Sequence, residues 1–177
     1  RPEPTTVAHI VRPGAEELQE QVAALCGGLP AHGYRPVVVG PLDRTFREAL
    51  SRRGVRWVNL PLPQTLGLRE QYAAAAHLAR FLQASDPALL HAHGFQSAYT
   101  ALAARRRVLQ SPPLLLAPHG IPDLQDRPGP ERVLRRAGYG RVLSHCDAIA
   151  VACSTERDQI AALRPSGPIA VIPYGVE

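Results

Sequence analysis

Seven short, mostly apolar runs recur along the chain, at residues 6–11, 36–40, 55–60, 87–94, 113–120, 148–152 and 169–172. Side chains alternate between the two faces of a strand, so a run apolar at successive positions must bury both faces. Helices are the elements that cover both faces of such a sheet, and helical crossovers join parallel strands. The alternation therefore predicts an α/β fold with a doubly wound, mainly parallel, Rossmann-like sheet. At 177 residues one domain is expected, spanning 1–177.

The segments between the runs have helical spacing. A helix from about residue 16 places Leu18, Val22, Leu25 and Leu29 on one face, with Glu16 and Glu17 at its positive end and Gly33 near its stop. Asp43 is placed to cap a helix running to about residue 53. A longer helix over 68–84 points Leu68, Tyr72, Ala75, Ala79 and Leu82 inward. Further helices are expected over 97–108, over 131–144 after a Pro/Gly/Asp-rich loop at 121–130, and over 155–163.

In an open α/β sheet, ligands bind at the carboxyl ends of the strands, near the reversal of strand order. After the first run comes Arg12-Pro13-Gly14, which is not a G-x-G-x-x-G dinucleotide fingerprint. A single glycine before a helix lets backbone N–H groups approach a phosphate, and it serves a plain turn equally well. After the fourth run comes His91-Ala92-His93-Gly94, with both histidines on one side. They are either satisfied within the sheet or half of a metal site whose third ligand the sequence does not nominate, so no metal is expected. His93, at the strand end, is the functional candidate. After the fifth run comes His119-Gly120, a histidine able to bind a sugar hydroxyl or carry a proton near neutral pH.

Four motifs in order make a pattern: Leu90-His91-Ala92-His93-Gly94, Ala117-Pro118-His119-Gly120, the run from Cys146 to Ser154, and Val171-Ile172-Pro173-Tyr174-Gly175-Val176-Glu177. Over essentially its whole length the chain resembles the N-terminal domain of family 4 retaining glycosyltransferases. The resemblance implies the N-terminal half of a GT-B fold, with the acceptor on this half and most of the nucleotide-sugar on an absent C-terminal, donor-binding domain. It implies metal-independent, retaining chemistry with no cofactor and no settled protein nucleophile. By the same resemblance His119 is the catalytic-site candidate and Gly14 the donor-phosphate loop; Arg12, His93 and Gly94, at the carboxyl ends of the first and fourth runs, are the acceptor-binding candidates. The chain departs from the family in having one glycine after the first strand and Tyr174 where asparagine is usual. The paired glutamates that bind the donor in this family belong to the second domain, so the isolated chain is expected to be inactive. Two other readings stay open: a stand-alone module binding an anionic sugar or lipid, and part of a sugar-nucleotide epimerase of the same fold.

The formal charge of +5, carried by 20 arginines and no lysine, favours an anionic partner. No helix-turn-helix, zinc-finger or basic-aromatic signature accompanies it, so nucleic acid is not expected. Arg132, Arg135 and Arg136 share a helix face, which is either solvated charge or a contact for a phosphorylated acceptor or an anionic membrane. Arg105, Arg106 and Arg107 close the preceding helix, where positive charge suits a helix C-terminus. The three cysteines lack metal-ligand spacing and read as free buried thiols of a cytoplasmic, bacterial protein. No apolar run is long enough to span a bilayer, and any membrane contact is expected to be peripheral. The chain contains no methionine and begins at Arg1, as expected of a piece processed from something larger.

Overall fold

The structure is a computed structural model and describes residues 3–12, 14, 16–62, 68–120 and 129–173. Seven strands, β1 (Thr5–Ile10), β2 (Tyr34–Gly40), β3 (Arg56–Asn59), β4 (Leu89–His93), β5 (Leu114–Ala117), β6 (Ala148–Val151) and β7 (Ile169–Val171), form one sheet. Its order is β3-β2-β1-β4-β5-β6-β7, and every neighbouring pair is parallel. Six helices alternate with the strands: α1 (Glu16–Gly28), α2 (Arg44–Arg52), α3 (Leu68–Ser85), α4 (Phe95–Arg105), α5 (Gly129–Leu143) and α6 (Ser154–Ala161). The expected doubly wound α/β sheet is therefore present, and it is parallel throughout.

The winding reverses between β1 and β4, which lie side by side although two strands, β2 and β3, come between them in sequence. Right-handed crossovers running outward in opposite directions must put their helices on opposite faces. Two cores result. On one face Val11 and Val38 pack with Val22, Ala23 and Cys26 of α1 and Phe46, Ala49 and Leu50 of α2. On the other, Ala8, Ile10, Leu90, Ala92, Leu114, Leu116 and Ile149 meet Leu78 of α3, Ala98 and Ala101 of α4, Leu143 of α5 and Ile160 of α6.

Local sequence explains the punctuation. Asp43 caps α2 as expected, its Oδ1 accepting from the Phe46 N–H at 2.8 Å. α1 ends earlier, at Gly28, and continues into a 3₁₀ turn (Leu29–His32) that Gly33 closes with φ +81°. Gly40 permits the exit of β1 to pass close, since a Cβ there would lie 2.0 Å from the Val11 carbonyl oxygen.

Three expectations are corrected. The buried stripe of α1 is Val22, Ala23 and Cys26, and Leu25 is exposed, because small residues let the helix approach the sheet closely. Tyr72 of α3 also faces out, where the Arg107 guanidinium lies 3.9 Å over its ring. Leu68's side chain and the loop at 121–128 lie outside the described residues. Of the cysteines, Cys26 and Cys146 are free and buried, and burial pushes both thiols up to about 12, whereas Cys153 is exposed.

Candidate functional site

The reversal of winding leaves the carboxyl ends of β1 and β4 without a shared crossover, which opens a crevice there. Three of the motifs converge at this edge. His93 and His119, 26 residues apart in sequence, meet with Nδ1 of His93 2.9 Å from Nε2 of His119. The parallel register sets His93 beside Ala117, so the next turn of chain after β5 carries His119 over it.

His119 has φ +55°, a left-handed conformation that a non-glycine residue adopts at a cost. Among the described residues, Asp86 and Arg164 share that property, but both follow helix ends, where it is ordinary. At a strand's carboxyl end it aims the imidazole sideways into the crevice, and Gly120 with φ +92° completes the turn. The ring is half-buried; burial lowers its pKa and the nearby Glu156 carboxylate raises it.

Glu156 is a site residue that sequence reasoning missed. Its Oε1 accepts from the Gly120 N–H at 2.8 Å and its Oε2 from the Ala152 N–H at 2.8 Å. One buried carboxylate thus ties the exit of β5 to the exit of β6 and holds His119 in its strained turn. The readable signal was a glutamate three residues after Cys153, the N-cap of α6. A cleft of about 430 Å³ lies against this hinge, between Glu17, Leu18 and Gln21 in the first turns of α1 and Thr155 and Gln159 in those of α6.

His9 is the second missed residue. It pairs in register with His91, so both rings project from the same face of adjacent strands. His91 and His93 stack with centroids 4.3 Å apart, and His9 stands 5.0 Å from His91 and 5.5 Å from His93. Nδ1 of His9 lies 3.2 Å from Nε2 of His93, which makes a chain His9–His93–His119 running from the sheet to the cleft. Burial lowers the pKa of all three inner rings, that of His91 to about 4, so they are neutral at pH 7. An apolar run in the sequence conceals His9, because only the strand register puts it beside the His91-Ala92-His93 pattern.

The other candidates divide. Gly94 is where it was expected, after β4, with φ +85° and its N–H donating to the Ala117 carbonyl at 2.7 Å. A Cβ there would meet no atom within 4 Å, so glycine answers a backbone need and not a space need. Gly14 is exposed, one turn before Leu18, whose Cδ2 would lie 3.1 Å from an added Cβ. Arg12 is buried. Its guanidinium donates to Gln96 Oε1 at 3.1 Å, Thr100 Oγ1 at 3.1 Å and Gln71 Oε1 at 3.4 Å, strapping the end of β1 to α3 and α4. His93 is buried beneath His119.

On the α5 face, Arg135 Nε pairs with Glu131 Oε1 at 2.8 Å and Arg136 donates to the Ala162 carbonyl at 3.3 Å. Val133 and Leu134 beside them are exposed. Among the described residues no helix is long and apolar enough to cross a membrane.

A seven-stranded parallel sheet with its site at the β1/β4 reversal and a histidine ending β5 is the Rossmann-like N-terminal half of a GT-B fold. The family profile described as "Glycosyl transferase 4-like domain" matches residues 18–175. The chain belongs to that family. Among solved structures, a glycosyltransferase from Rickettsia africae superposes with a TM-score of 0.78 at 12% identity, over 98% of this chain and 44% of that one. HepE of Anabaena, in complex with UDP-glucose, gives 0.68 at 15% identity, over 97% and 44%. A UDP-N-acetylglucosamine 2-epimerase gives 0.68 at 13% identity, over 95% and 48%. This chain thus spans less than half the length of each. No curated protein sequence matches it.

Proposed function

We propose that this chain is the acceptor-side half of a glycosyltransferase that moves a sugar from a nucleotide-sugar to a glycan, lipid or small-molecule acceptor with retention. The donor-binding half is a C-terminal domain beyond residue 177. The observation that carries this reading is His119, held in a left-handed turn by Gly120 and Glu156 and presented to a cleft at the carboxyl edge.

The cleft suits the chemistry. The first turns of α1 and α6 both border it, and helix N-termini favour the negative charge that develops on a departing diphosphate. Gly14 keeps the approach to α1 open. His119, lowered in pKa by burial, is neutral at pH 7, and with its Nε2 engaged by His93 it is Nδ1 that faces the sugar undergoing transfer. Gly94 and Arg12 shape the acceptor side, Arg12 by fixing Gln96 and Gln71 and not by projecting into solvent. HepE, similar in fold, binds UDP-glucose, which supports a nucleotide-sugar as the donor class.

The test is kinetic, on the full-length gene product. His119→Ala is expected to lower kcat about 100-fold with little change in acceptor KM, as for a group used in the transition state. Wild-type kinetics in that variant would return His119 to a purely structural role. The epimerase of like fold keeps a second reading in view. Incubation with UDP-N-acetylglucosamine and no acceptor, followed by NMR, separates the two: a new C2 epimer supports the epimerase, and acceptor-dependent release of the nucleotide supports transfer.

A further inference from the structure

The His119 cleft leaves the three histidines behind it unexplained. We propose that His9, His91 and His93 form a site for one divalent first-row transition ion, of the Zn²⁺ class, set between the carboxyl ends of β1 and β4. One ring nitrogen from each of the three lies within 4.8 Å of the others. Two nitrogens stand out: Nε2 of His9 and Nε2 of His91 are buried and have no hydrogen-bond partner among the described residues. A buried polar atom left in this way loses its hydration and gains nothing in return. Both atoms are shielded from bulk solvent and no donor or acceptor is in place among the described residues, and an ion is a group that satisfies both at once.

The third ligand is His93, whose Nε2 lies 3.2 Å from Nδ1 of His9, another member of the trio. Binding through Nε2 of all three rings breaks that contact, so the His9 Nδ1–H gives up its acceptor in exchange for the three bonds to the ion. His93 then carries its proton on Nδ1 and donates it to Nε2 of His119, 2.9 Å away. Metal-bound imidazoles ordinarily make such an outer hydrogen bond, which fixes their tautomer.

The donor set selects the ion. Three neutral imidazoles with no carboxylate or thiolate suit Zn²⁺, Co²⁺, Ni²⁺ or Cu²⁺ and disfavour Mg²⁺ and Ca²⁺, which take oxygen ligands. Zn–N bonds of about 2.0–2.1 Å require the nitrogens to draw together to about 3.4 Å by rotation of the imidazoles. The role is a structural clamp across the reversal of winding, one residue behind the cleft, and it is independent of which sugar chemistry the cleft performs.

The test uses untagged protein, stripped with EDTA and titrated with ZnCl₂ by calorimetry. One equivalent is expected to bind, and the thermal midpoint is expected to rise on loading. His9→Gln, His91→Gln and His93→Gln should each weaken binding by more than the roughly 10–100-fold that loss of an outer partner costs. His119→Gln should stay within that smaller range. Because a variant may fail to fold, X-ray absorption on the Zn²⁺-loaded wild type gives a second measurement, with three imidazole ligands at about 2.0–2.1 Å expected. No saturable binding at micromolar Zn²⁺, an oxygen-dominated shell, or undiminished affinity in all three folded variants overturns the proposal. No sugar substrate enters the assay, so its failure is distinct from a failure of the transferase reading.

Discussion

Three buried imidazoles in mutual contact, with a fourth at the cleft, make histidine the residue on which the pH response of this fold turns. His9, His91 and His93 are lowered in pKa by burial first and by their neighbouring histidines second, and Glu156 is the acidic group facing the outer end of the chain. The unfolded chain takes up protons below about 6.5, the ordinary histidine value, whereas the folded chain refuses them until far lower. Unfolding therefore binds protons, and the stability these rings contribute is present above pH 6.5 and lost as pH falls toward 4. Each such histidine contributes a slope of ~1.4 kcal/mol per pH unit inside that window. In EDTA, the urea midpoint is expected to fall steeply between pH 6.5 and 4.5, and His91→Gln should flatten the fall by one proton's worth. A flat profile for the wild type would mean that the rings gain protons in the folded state.

Helices divide the labour at the next scale. α1 and α6 direct their first turns at the cleft, and α3 and α4 are held to the end of β1 by the buried Arg12 network. α5 faces outward. The proposed peripheral contact with an anionic membrane belongs to this helix, whose exposed Val133 and Leu134 stand beside Arg132 and Arg136. Arg135 is already paired with Glu131, so three arginines offer a net charge nearer two. Removing all three while Glu131 keeps its charge shifts the face by three charges, so at about 1 kcal/mol per charge near an anionic surface vesicle binding should weaken more than about a hundredfold. Co-sedimentation with anionic and neutral vesicles checks this, comparing wild type with the triple variant Arg132→Gln, Arg135→Gln, Arg136→Gln at two salt concentrations. Equal binding by both proteins, or binding indifferent to salt, leaves the face as solvated charge.

Taken whole, the molecule is, on the proposed reading, one face of a cleft. Its carboxyl edge collects His119, Gly120, Glu156 and two helix ends, but the chain covers less than half the length of the solved relatives it superposes on. Transfer requires both substrates to be held in reacting geometry. The 177-residue chain is therefore expected to give no product with a panel of nucleotide-sugars and acceptors, and addition of the downstream domain in one polypeptide is expected to restore turnover. Turnover by this chain alone would contradict the proposed division between acceptor and donor halves.

The order and type of elements were legible in the sequence because they rest on local properties. Apolar runs too continuous for a half-exposed strand demanded a covered parallel sheet, and Asp43, Gly33 and Gly94 marked boundaries through caps and backbone freedom. The motifs ending β4 and β5 were legible as well, since a histidine before a glycine at a strand end is a local pattern. What residues lie opposite one another was decided by the tertiary structure alone. Strand order and register set His9 against His91, and only then does a pair of histidines become a trio. Packing of α6 brought Glu156 to the Gly120 N–H, and packing of α3 and α4 made Arg12 a buried strap instead of an open ligand. These are contacts between residues 36 to 88 positions apart, and periodicity over a dozen residues carries no information about them.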